Sequence, residues 1–232
     1  MSSAAPVRCE SCPVRDQAVC AALSEAERSA LARIGVTRDF ARGETIFAAG
    51  DDSVACATLI SGAAKLSAID AEGTERIVAI VHPSGFLGQL FAAQVDHHAV
   101  ALTDSRLCLF PRGGFEAVMA DHPALLRSIL DRTLADLAET RALVDLIGRR
   151  SSRGRVAGLI LLFARAASEA PCHSSLAFEL PLTRGEMAAL LGLTIETVSR
   201  QLGQLEADGL IARSGPRGLI VRYPAGLEAA AG

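Results

Sequence analysis

Between residues 38 and 112 the apolar positions come in short β-rich runs, such as 57–60 and 76–81. Turn residues separate them at Gly43, Gly50-Asp51, Ser61-Gly62, Glu72-Gly73 and Pro83-Ser84-Gly85. Turn chemistry at such regular intervals predicts a small β-roll or jelly roll. Beyond Phe115 the punctuation stops. After Pro123 the positions Leu126, Leu130, Thr133, Leu137, Thr140, Val144 and Ile147 recur at intervals of three and four, the pattern of a coiled-coil seam. A second set at Leu125, Ile129, Leu134, Leu143 and Leu146 covers a neighbouring face. One stripe can therefore pack on the roll while the other meets a second copy of the chain. An ordinary buried helix would need a single stripe only.

A polar break at Arg149-Arg150-Ser151-Ser152 follows, and 156–167 reads as another apolar helix. The remainder reads as a strand at 176–180, two short helices joined by a turn, and a hairpin at 211–223 around Ser214-Gly215-Pro216-Arg217-Gly218. That order is a winged helix-turn-helix. The predicted class is α+β: an N-terminal segment (1–24), a β-roll (25–114) resembling a cyclic-nucleotide-binding jelly roll, a long dimerisation helix (115–149) and a C-terminal winged helix-turn-helix (150–232).

Local signals sharpen the helix ends. Ser24 before Glu25-Ala26-Glu27 is a helix cap with an acidic first turn. Thr183 with Glu186 forms a capping box, Gly192 permits a tight turn, and Thr194 caps the next helix. Ala188, Leu193, Val198 and Leu202 would close the angle between those two helices, leaving Glu196, Ser199 and Arg200 on the exposed side. Polar groups near the N-terminal end of a second helix are what major-groove reading requires. Arg200 can bond guanine with two parallel N–H groups, Glu196 can accept from cytosine N4, and Ser199 can serve a base edge or a phosphate. Thr183 and Thr194 complete the candidate DNA-binding set. The same residues also allow a plain i, i+4 ion pair between Glu196 and Arg200.

Charge changes the picture modestly. The net charge is −3, but residues 1–148 hold 13 basic against 19 acidic side chains and residues 149–232 hold 10 against 7. The basic excess of the last third is entirely arginine and suits a segment that meets phosphate. Half the residues are apolar, enough for a substantial core. No apolar run reaches eighteen residues and the start lacks a secretory pattern, so the expectation is a cytoplasmic protein that neither spans nor joins a membrane. No nucleophile-base constellation or phosphate loop is present, which argues against an enzyme.

Six cysteines in a reducing compartment point to metal ligation, redox sensing or burial rather than to disulfides. Cys9-x2-Cys12-x7-Cys20 and the distant Cys108 offer four thiols for one centre, although zinc sites also use Cys-x2-Cys. Cys108 could equally be a buried strand cysteine, and burial is the expectation for Cys56 and Cys172.

Residues 180–210 resemble the DNA-binding signature of the CRP/FNR family, particularly its FNR branch, and the likeness extends over most of the chain. Glu196, Ser199 and Arg200 match the Glu-x-x-Ser-Arg recognition motif. The resemblance implies a palindromic operator with half-sites similar to TTGAT, read by a homodimer whose recognition helices stand roughly 34 Å apart, with RNA polymerase as a further partner. It also implies a [4Fe-4S] cluster on Cys9, Cys12, Cys20 and Cys108. The seven-residue interval before Cys20 departs from the best-known shorter one and resembles some proteobacterial relatives. The cyclic-nucleotide branch pairs a glutamate with a later Arg-Ser or Arg-Thr. Here Phe86-Leu87-Gly88-Gln89-Leu90 is followed by Asp96-His97-His98-Ala99, with no arginine for the phosphate, so no cAMP is expected. His97 and His98 read as exposed loop histidines, or remotely as haem ligands.

These readings give an oxygen- or redox-responsive regulator in which cluster binding orders the N-terminal segment against the roll and sets the helix for dimerisation. Asp136, beside Leu137 on the seam, would repel its twin across the two-fold axis and keep the dimer marginal. The alternative is a regulator of the same fold with structural zinc or a thiol-based sensor.

Overall fold

The computed structural model describes residues 5–167, 176–215 and 217–232, so Cys172 and Pro216 lie outside the described residues. The chain divides between Glu139 and Thr140 into two compact units.

The first unit starts with β1 (Ala5–Pro6), which pairs with β2 (Val36–Phe40) across α1 (Glu25–Ile34). Strands β3 (Thr45–Phe47), β4 (Ala55–Ser61), β5 (Ala64–Ile69), β6 (Glu75–Val81), β7 (Phe86–Leu87), β8 (His98–Ala101) and β9 (Ser105–Pro111) follow. They form two antiparallel sheets, ordered β1-β2-β9-β4-β7 and β3-β8-β5-β6. This is the expected β-roll. Its interior holds Phe40, Ala57, Leu59, Leu87, Ala99 and Leu107, contributed by both sheets. Gly62 makes the β4–β5 turn at a φ of +92°, where any Cβ would strike Ser105. His98, expected in a loop, belongs to β8, and its Nδ1 accepts the Ala49 N–H at 3.2 Å.

The helical stretch read from Phe115 is two helices, α2 (Arg112–Asp121) and α3 (Pro123–Gly148). Pro123 forces His122 out of the helical region, to φ −129° and ψ 86°. Phe115 and Met119 of α2 join Leu31 of α1, Phe110 of β9 and Leu125 of α3 in a second core. On α3, Leu125 is buried and Ile129 half-buried against that core. Leu126, Leu130 and Leu137 stand 49%, 56% and 43% exposed, and Val144 65%. Thr133 and Thr140 are exposed and Ile147 is half-buried. Leu134, assigned to the covered face, is exposed and joins the open stripe. Asp136 pairs with Arg132 one turn earlier at 2.7 Å, and Arg132 also reaches Glu139 at 3.8 Å. Within the single chain the Asp136 carboxylate thus has a cation one turn away on its own helix.

In the second unit the polar break at 149–152 becomes the end of α3 and the cap of α4 (Ser152–Ala166), whose first turn Ser151 closes by accepting the Gly154 N–H. Then come β10 (Ala177–Glu179), α5 (Arg184–Leu191), α6 (Ile195–Ala207), β11 (Ile211–Ser214), β12 (Gly218–Val221) and α7 (Pro224–Ala231). The strands form a three-stranded sheet ordered β10-β12-β11, the wing. Helix α4 is buried along Val156, Leu159, Ile160 and Phe163 and packs on α6 and α7. Helix α7, which starts with Pro224 at its first turn, is an element beyond those that the apolar pattern predicts.

Candidate cysteine centre and nucleic-acid interface

In the first unit, a chain too short for regular helices between Val7 and Ser24 folds into two tight turns, at Cys9–Ser11 and Val19–Ala22. The Cys12 N–H donates to the Cys9 carbonyl at 3.3 Å, which brings the Cys-x2-Cys thiols to one side. Val14, Ala18, Val19 and Leu23 are buried and hold this segment against the second core. Cys108 sits in the middle of the five-stranded sheet, opposite Thr37 of β2 and Thr58 of β4. All four cysteines, Cys9, Cys12, Cys20 and Cys108, line one cavity of about 450 Å³, walled on its apolar side by Leu31, Ile60, Phe110 and Phe115.

The thiols feel that environment. Burial pushes Cys20 up to about 11, and the neighbouring Cys12 and Cys9 add to it. Burial also raises Cys9, with Cys12 adding and Arg28 and Arg15 opposing. Cys108 is pushed higher still, by burial first and then by Cys9, Cys20, Cys12 and Cys56. Burial is the first cause for Cys9, Cys20 and Cys108, and neighbouring thiols add to it. Among the described residues, no three His, Cys, Asp or Glu side chains draw close enough to hold a single metal ion. Cys56 is fully buried, opposes Phe110 across the ladder and does not line the cavity. Burial, then Glu116, lifts its thiol to about 12.

The turn at 88–98 closes on itself. Gln89 Nε2 donates to the Asp96 carboxylate, and the Asp96 N–H returns a bond to Gln89 Oε1 at 2.8 Å.

In the second unit each helix-turn-helix signal has its structural counterpart. Thr183 and Glu186 make both bonds of a capping box, Gly192 ends α5 in the left-handed region at φ +62°, and Thr194 accepts the Thr197 N–H. Ala188, Val198 and Leu202 are buried between the helices and Leu193 is half-buried. Glu196 and Arg200 are exposed and Ser199 is half-buried, on the first two turns of α6. The Glu196 carboxyl is held below its ordinary range by its own backbone N–H and by Thr194. Arg200 donates to Thr197 Oγ1 at 3.4 Å. No ion pair joins Glu196 to Arg200 among the described residues, so both side chains remain available at the surface.

Sequence reasoning missed the arginines around them. Arg184 Nη1 donates to Ser199 Oγ at 3.4 Å, and Arg213 of the wing grips Glu206 of α6 by both its backbone N–H, at 3.0 Å, and its guanidinium. Arg184, Arg213 and Arg217 line a cleft of about 330 Å³ between α6 and the wing. Arg184 was findable from its place directly after a cap. The Arg213–Glu206 clasp was not, because it depends on how the wing folds back.

Comparison with known proteins agrees with this geometry. A Crp-like helix-turn-helix domain profile matches residues 154–230, and a cyclic nucleotide-binding domain profile matches residues 37–122. The chain is 37% identical to the transcriptional activator protein FnrL of Cereibacter sphaeroides over 92% of this chain and 88% of the relative. It is 33% identical to the nitrogen fixation regulation protein FixK of Bradyrhizobium diazoefficiens, over 88% and 86%. The structure of FixK2 from Bradyrhizobium japonicum superposes with a TM-score of 0.78 at 24% identity, covering 86% of this chain and 98% of that one, a likeness of fold. With both halves of the architecture matched and the recognition helix in place, this chain belongs to the CRP/FNR family of DNA-binding transcription regulators.

Proposed function

We propose that this regulator is oxygen- or redox-responsive, that Cys9, Cys12, Cys20 and Cys108 hold a [4Fe-4S] cluster, and that it binds an FNR-type palindrome as a homodimer. The observation carrying this reading is the shared cavity: four thiols from two distant parts of the chain line one space of about 450 Å³. Four cysteine thiolates are the donor set that a [4Fe-4S] centre takes, so the residues present fit the cluster. When bound, the cluster supplies the sensitivity to oxygen and electrons.

The rest is done by the chain. Ligation by Cys9, Cys12 and Cys20 ties the N-terminal turns to β9. Three residues after Cys20 comes Leu23, buried, and then Ser24, which caps α1 with Glu27. The same Glu27 bonds His122 Nδ1 at 3.1 Å, at the junction between α2 and α3. An ordered cysteine segment therefore fixes α1, and α1 fixes the start of the helix bearing the exposed leucines. Those leucines are the surface for the second copy. Arg132 sets one cation beside Asp136, at 2.7 Å, and Glu139, at 3.8 Å, next to that seam. A dimer presents two copies of Glu196, Ser199 and Arg200 to the operator, and a monomer loses half of the base and phosphate contacts. Asp96 disfavours a cyclic nucleotide phosphate, and cytoplasmic work with RNA polymerase follows from the same reading; no helix among the described residues is long and apolar enough to cross a membrane.

Anaerobic purification tests the proposal. The protein should be brown, with iron and acid-labile sulfide in equal amounts that disappear together in air. Colourless protein with stoichiometric zinc, or with free thiols alone, would overturn it.

A further inference from the structure

We propose that Arg28 is the counter-ion of the cysteine centre, a positioning residue whose guanidinium at the cavity rim sets how readily the cluster exchanges an electron and survives oxygen. This deepens the cluster reading above and rests on it.

A [4Fe-4S] core in its resting 2+ state, bound by four thiolates, carries a net double negative charge. The cavity offers it apolar walls at Val14, Leu31, Phe110 and Phe115, so the charge must be met by a nearby cation. Four arginines line the cavity, Arg8, Arg15, Arg28 and Arg106, against a single carboxylate, Asp39. Two of the four are committed elsewhere. Arg106 grips Asp39 through two bonds, at 2.6 and 3.1 Å. Arg15 reaches Asp16 at 3.6 Å and the Glu10 carbonyl at 3.5 Å. Arg8 is exposed just before the Cys9–Ser11 turn, whereas Arg28 is half-buried and carried on α1.

Among the described residues no carboxylate pairs with Arg28. Its side chain lines both the thiol cavity and an adjoining polar pocket that contains Cys9, Glu10 and Glu25, so it stands between the thiols and solvent. The capping box of Ser24 and Glu27 and the buried Leu31 fix α1, and hence the guanidinium, relative to the cavity.

A fixed positive charge favours the more negative member of any redox couple. Removing it should make one-electron reduction of the 2+ core by dithionite less favourable, and should make loss of an electron to oxygen easier. The variants are R28Q, R28M and R28K, the last two alike in length and different in charge. Anaerobically loaded full-length proteins would be compared by mediated redox titration, by the rate of bleaching in air, and by iron and sulfide content. Melting of the metal-free chains shows whether each variant folds as the wild type does. R28Q and R28M should lower the reduction equilibrium about tenfold, which is about 59 mV for one electron, and should bleach at least about threefold faster, while R28K stays near wild type. Loaded R28M with the potential and bleaching rate of R28K overturns the counter-ion and leaves the cluster standing. Wild-type protein that contains neither iron nor sulfide overturns both. Should R28Q melt early, the comparison of R28M with R28K still decides, since loss of packing alone would not follow charge.

Discussion

Replacing Leu130 with alanine should weaken the dimer about thirtyfold without unfolding the chain. Leu130 is 56% exposed in the single chain, between Leu126 and Leu137 on the open stripe of α3. Complete burial of a leucine contributes about 1.5 to 3 kcal/mol, so the exposed fraction can recover about 1 kcal/mol when a partner covers it. Two-fold symmetry counts the residue twice, which gives about 2 kcal/mol per dimer, and about 1.4 kcal/mol corresponds to a factor of ten in Kd. Anaerobic sedimentation velocity across a concentration series reads the constant directly. Leu125 provides the contrast. It is fully buried within the first unit, so L125A should cost about 2 to 5 kcal/mol of stability through the cavity it leaves. A dimer constant for L130A within about threefold of wild type would refute the assignment of the open leucines to the subunit contact.

C108S should abolish iron binding, whereas C56S, which removes a thiol outside the cavity, should retain iron and sulfide; equal loss in both variants would break the ligand assignment. R200A should weaken operator binding by about 1 to 3 kcal/mol per half-site and relax preference at one base position, which a panel of single-base operator variants would reveal. R132A leaves Asp136 and Glu139 without their shared cation beside the seam, so it should weaken association, and by less at high salt; a salt-independent constant would count against it. Glu75 is half-buried, and its desolvation raises its pKa, but the Lys65 ammonium at 2.6 Å, with smaller help from Ser67 and His98, outweighs that and holds it below the ordinary carboxylate range. A depressed carboxylate contributes stability above its unfolded pKa of about 4.3 and loses it as pH falls through the folded value. The stability difference between wild type and K65M should therefore be full at neutral pH and shrink in acid, as followed by urea melts; a difference that grows in acid contradicts the pairing.

What could be read from sequence was what local chemistry determines. The capping residues Ser24, Thr183 and Thr194 and the left-handed Gly192 act within four residues of themselves, and all four behave as their types require. Pro123 carried a legible helix break that the apolar spacing around it obscured. The Arg132–Asp136 pair also lies within one helical turn, an i, i+4 spacing that the sequence displays. Contacts between distant residues were not legible. Arg106 and Asp39 are 67 positions apart and meet because β2 lies beside β9. Leu134 has the same spacing logic as Ile129, but α3 runs past the second core before Leu134 can reach it. Cys108 could be set beside three N-terminal thiols only through family resemblance, because nothing in its own neighbourhood distinguishes a ligand from a core cysteine. The cavity supplies the missing juxtaposition.

The most direct test couples the metal to the operator in one sample. Anaerobic protein assayed for iron, sulfide and binding to a TTGAT-type palindrome, then exposed to air in timed steps, should lose cluster and DNA affinity with the same time course. Replacing the air with argon should preserve both. Full operator occupancy that persists after iron and sulfide have gone would contradict the account.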